Sequence, residues 1–104
     1  MQIILGSDAA AELNDPNNFG AFSIVVPTDV PAGELGSFVH RSGVGELGAD
    51  GRHVHVSIES IRRLAAGLHN DAWDSGFDAM IAYARTKGWV DDACNTVRAH
   101  LEPS

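Results

Sequence analysis

The chain has one cysteine, one lysine and no long apolar run, and each shortage removes a class of protein. Cys94 alone cannot close an intrachain disulfide, so the fold must rest on a packed core, and the thiol suits a reducing compartment. Lys87 is the only lysine; with six arginines it faces 14 acidic residues, for a formal charge of −7. Nucleic-acid affinity comes largely from basic side chains that displace counterions around phosphates, and this excess of carboxylates opposes it. The same excess opposes docking on anionic lipid. At the N-terminal end the apolar run covers only residues 3–5 and no basic residues precede it. That pattern fits neither a secretory signal nor a membrane span, so the expected setting is cytoplasmic.

What is present is ordinary for a soluble globular protein: 104 residues, 44% hydrophobic and 20% charged. A chain of this length buries roughly 60–70% of its unfolded surface, enough for one core. No repeat, linker or low-complexity segment divides it, so a single domain over residues 1–104 is expected.

Most of the core-building pattern lies between His53 and Trp89. His53, His55 and Ser57 alternate with Val54, Val56 and Ile58, the period of a strand with one buried face. Before it, 44–47 and the Asp50-Gly51 turn dipeptide complete a hairpin, because glycine reaches positive φ without steric cost. Ser57 suits the N-cap of a helix whose face is Ile58, Ile61, Leu64, Ala65 and Leu68, with Glu59 paired to Arg62 or Arg63 outside. Asn70 or Asp71 caps a longer helix on which Trp73, Phe77, Met80, Ile81 and Ala84 recur at helical spacing. Asp71 and Asp74 near its start and Arg85 and Lys87 near its end complement the macrodipole, and Gly88 stops it.

Elsewhere, Gln2–Leu5 and 19–26 read as strands, the second ended by Pro27. Residues 9–13 allow one helical turn before a turn cluster at 14–18. Residues 29–43 read as a helix with Pro31 in its first turn and Gly43 as a left-handed cap. A turn at 91–95 precedes 96–102, where Val97, Ala99 and Leu101 alternate with Arg98, His100 and Glu102 as in a half-buried strand; a helix is the rival reading there. The expected fold is α+β: a single compact domain with about five strands in an antiparallel or mixed sheet and two to three helices mostly on one face.

Few residues invite chemistry. The string GVGELG at 43–48 matches a dinucleotide fingerprint in letters only, since a hairpin follows where a helix would have to open, and Glu46 and Asp50 would repel a pyrophosphate. His53 and His55 share one strand face at about 6–7 Å. With His100 from the last strand they form a candidate divalent-metal set, whereas the polar side of a half-exposed sheet also holds histidines that merely meet solvent. No cofactor is predicted beyond that possible metal. Asp71, Asp74 and Asp78 line one side of the long helix; a solvated acidic face is the simpler reading, and Asp74 and Asp78 remain candidate binding residues. Tyr83 falls off the apolar stripe, which would suit a pocket rim or subunit contact, but a core or partly buried position is the simpler reading, and Tyr83 stays a candidate binding residue.

Catalytic spacing is missing, and a sheet must manage its edges. The expectation is a small non-catalytic binding or protein-interaction module, a homodimer through sheet edges or the polar sheet face, with no nucleic-acid or membrane partner. The alternative is a small metal-dependent enzyme or sensor using His53, His55 and His100.

Overall fold

A computed structural model describes residues 1–67 and 71–103. Among these residues seven strands form one mixed sheet: β1 (Gln2–Leu5), β2 (Ala11–Asn14), β3 (Ser23–Val26), β4 (Gly45–Leu47), β5 (His53–Ser57), β6 (Val90–Asp91) and β7 (Thr96–Pro103). Three helices accompany them: α1 (Leu35–Ser42), entered through a 3-10 turn at Ala32–Glu34, α2 (Ile58–Leu64) and α3 (Asp71–Thr86). The strand order is β2-β1-β3-β7-β5-β4, with β6 also on β7. β1–β3 and β3–β7 run parallel and the other pairs antiparallel.

Alternation assigns the two faces. Ile3, Leu5, Ile24, Val26, Val54, Val56, Val97 and Ala99 point inward, into one cluster with Phe38 and Val39 of α1, Ile61 of α2, and Trp73, Phe77 and Ile81 of α3. The helices therefore cover this face. The opposite face carries Ile4, Val25, His53, His55, Arg98 and His100, half-buried or exposed.

The hairpin forms as its residues dictate. Gly51 takes φ 70°, and Asp50 Oδ1 accepts from the backbone N–H of Arg52 and of His53 at 2.9 and 3.2 Å. Ser57 caps α2 by accepting from Ser60 N–H. Gly43, at φ 75°, ends α1 in the left-handed conformation that favours glycine.

Several expectations need correction. Residues 9–13 make no helical turn: Ala9 sits at φ 65° and Ala11–Asn14 pairs antiparallel with β1, because cross-strand pairing outweighs the helical preference of alanine, glutamate and leucine. The strand expected over 19–26 starts only at Ser23, and the helix expected over 29–43 begins as a 3-10 turn. Residue 91 belongs to a two-residue strand rather than to a turn. α2 stops at Leu64, so Ala65 follows the helix, and the proposed roles of Leu68 and Asn70 lie outside the described residues. The segment at 96–102, by contrast, is the strand its alternation led one to expect, and the rival helix does not form.

Candidate functional site

The polar sheet face brings two of the three histidines together. β5 and β7 pair in a register that sets His53 opposite His100, with ring centroids 5.8 Å apart and nearly perpendicular. His55 stands one step along, opposite Arg98. His53 is also bound from its own turn, Nδ1 lying 2.7 Å from Asp50 Oδ2. Among the described residues no three His, Cys, Asp or Glu side chains are arranged to hold a metal ion.

The Asp50 carboxyl is lowered to about 2 by the Arg52 N–H and then by His53. A depressed carboxyl contributes stability above its ordinary value of 3.8, and that contribution fades as pH falls from 3.8 toward 2. Melting of Asp50→Asn should therefore lie below that of the unaltered protein at pH 5–7 and converge with it at about pH 2. A gap that persists unchanged into acid would contradict this turn geometry.

Asp74 and Asp78 of α3 are not free acidic groups. Arg62 of α2 donates to Asp78 Oδ1 at 2.7 Å and lies 3.8 Å from Asp74 Oδ1. The local Glu59–Arg pairing expected on α2 is replaced by this clasp between helices, while Arg63 donates to Ser60 Oγ. Asp74 and Asp78 thus tie α3 to α2.

At the far end of α3 the arrangement differs. Tyr83 is 58% exposed and Trp89 37% exposed, the only large hydrophobic side chains left at the surface among the described residues. They meet edge to face at 6.2 Å. Lys87 Nζ lies 5.5 Å over the Tyr83 ring and the Arg98 guanidinium 5.9 Å from Trp89, distances at which a cation is attracted to an aromatic face. Beneath them is a slot of about 340 Å³ reaching Phe19, Phe22, Met80 and Val97. β7 positions the slot: it pairs with β6 near residue 97 and with β3 from residue 100 on, and the slot opens between those partners.

Tyr83 is readable in sequence as the residue off the apolar stripe, but its exposure corrects the core or partly buried position expected of it. Trp89 and Arg98 are not, because Trp89 follows the Gly88 stop in no periodic pattern and Arg98 belongs to an ordinary alternating strand. A second cleft, of about 510 Å³, lies at the opposite side of β6 and is lined by His40, Glu46, His55, Asp91, Cys94 and Thr96 among others. Comparison with protein-family models, curated proteins and solved structures finds no match for the chain.

Proposed function

We propose that this protein is a non-catalytic interaction module that pairs with a second copy of itself through the Tyr83–Trp89 patch. The observation that carries the reading is the clustering of Tyr83 and Trp89, exposed large hydrophobic residues, beside Arg98, over a slot lined largely by half-buried hydrophobic residues. Tryptophan, tyrosine and arginine are the residue types that most often dominate interface energetics. The patch also suits a two-fold contact, in which each surface meets itself. Lys87 and Arg98 supply cations, and Asp92, held by Arg85 at 2.9 Å, supplies an anion close by in sequence. A net charge of −7 and a lone cysteine favour a protein partner in the cytoplasm over nucleic acid or a membrane.

Sedimentation or light scattering across a dilution series tests the pairing. The unaltered chain should show a concentration-dependent dimer, and Trp89→Ala should weaken it by roughly 30-fold, as a hot-spot residue of about 2 kcal/mol would. A monomer at every concentration would end the proposal.

The facing His53 and His100 rings support a second reading, a divalent-metal enzyme or sensor in which His55 or a group from a second copy completes the ligand set. Near-stoichiometric zinc in protein purified without chelator, with melting raised by added zinc, would favour it. Melting indifferent to zinc in metal-free protein would sink it.

A further inference from the structure

We propose that the cleft between the end of α1 and the turn from β6 to β7 binds a small organic ammonium ion. Its walls come from four places: His40 and Gly43 at the end of α1, Gly45 and Glu46 on β4, His55 and Ser57 on β5, and Asp91, Cys94 and Thr96 around β6 and the start of β7. At about 510 Å³ it is in the size range of small-molecule pockets, roughly 300–1,000 Å³. Most of the surface facing it is carbon, which suits an apolar body.

Charge selects the class of ligand. Among the described residues the lining contains two carboxylates, Glu46 and Asp91, and neither lysine nor arginine. They stand on different elements, so a ligand in the cleft meets a carboxylate from β4 and another from β6. Both are oriented. His40 Nδ1 lies 2.6 Å from Glu46 Oε1, and Asp91 Oδ1 accepts from the N–H of Ala93 at 3.0 Å and of Cys94 at 3.3 Å. Among the described residues Glu46 Oε2 and Asp91 Oδ2 have no hydrogen-bond partner, which leaves one acceptor on each for an ammonium group. An anionic ligand would meet two like charges, against which the lining sets only the imidazoles of His40 and His55. A neutral one would forgo the charge-assisted bonds.

Amide chemical shifts of the full chain, followed while titrating benzylamine hydrochloride, sodium benzoate or benzyl alcohol, separate these cases. Benzylammonium should give saturable shifts at Gly43, Gly45, His55 and Thr96; benzyl alcohol should bind at least about fivefold more weakly, and benzoate not at all. Asp91→Asn keeps an oxygen to accept from Ala93 and Cys94, so the turn survives, and should weaken benzylammonium by about fivefold. Trp89→Ala should leave the response unchanged. The proposal fails if benzylammonium gives no saturable shifts, if benzoate or benzyl alcohol binds as well, or if Asp91→Asn binds equally. It also fails if Trp89→Ala abolishes the response, because the probe would then be resting on the aromatic patch.

Discussion

Replacing Gly45 by alanine should cost about 3 kcal/mol and lower the melting temperature by roughly 10–20 °C. A Cβ built there would stand 2.2 Å from the carbonyl oxygen of His55 and 2.9 Å from both its carbonyl carbon and Val56 Cα. These are backbone atoms of β5, a strand hydrogen-bonded to β4 on one side and β7 on the other, so they cannot retreat without disturbing both pairings. The requirement is space, not an unusual dihedral angle. Gly33, whose added Cβ would meet nothing within 4 Å, provides the contrast, and Gly33→Ala should melt within a few degrees of the unaltered protein. Thermal and urea unfolding of the two variants measure the difference. If Gly45→Ala melted like Gly33→Ala, the close approach of β4 to β5 would be wrong, and with it the wall of the cleft that Glu46 provides.

Glycine 45 also shows where sequence reading stops. The GVGELG string is readable as hairpin punctuation, and the turn at Asp50-Gly51 and the alternation of β5 follow from local rules. The same holds for α3, whose apolar stripe needs only its own residues, and for the alternating half of β7. Local rules fail wherever a distant partner decides. Ala11, Glu12 and Leu13 are at home in a helix, yet Ala11–Asn14 becomes a strand because β1 offers it an edge. The parallel pairs join Gln2 to Ser23 and Ser23 to His100, contacts that no periodicity announces.

The site divides in the same way. That His53 and His55 share a face is a property of one strand, whereas the meeting of His53 with His100 depends on strand order. Asp74 and Asp78 look like solvent-facing charges until α2 presents Arg62 to them. Helical phase sets Tyr83 off the apolar stripe, but its exposure is a finding of the structure. Its partner Trp89, and the cation that Arg98 brings across from β7, belong to tertiary structure.

Phe77→Ala should be the most damaging core truncation on α3, costing about 3–5 kcal/mol. The ring is fully buried, stacks on Trp73 at 4.9 Å with 9° between planes, and lies under the Arg62 guanidinium at 4.8 Å. Trp73 in turn contacts Phe19 at 6.2 Å and donates its indole N–H to the carbonyl of Pro16 at 2.9 Å. Phe77 thus joins α3, α2 and the loop that leads into β3. Removing it leaves a cavity under Trp73 and takes the aromatic face from Arg62, two losses in contact that should not add independently. Truncating the polar half of the assembly is far milder: Asp78→Asn removes an exposed ion pair and should cost less than about 1 kcal/mol. A double-mutant cycle of Phe77→Leu with Arg62→Met tests the coupling, with an expected interaction of about 0.5–1 kcal/mol. Strict additivity would mean that Arg62 acts through its aspartates alone and that the clasp between α2 and α3 is purely ionic.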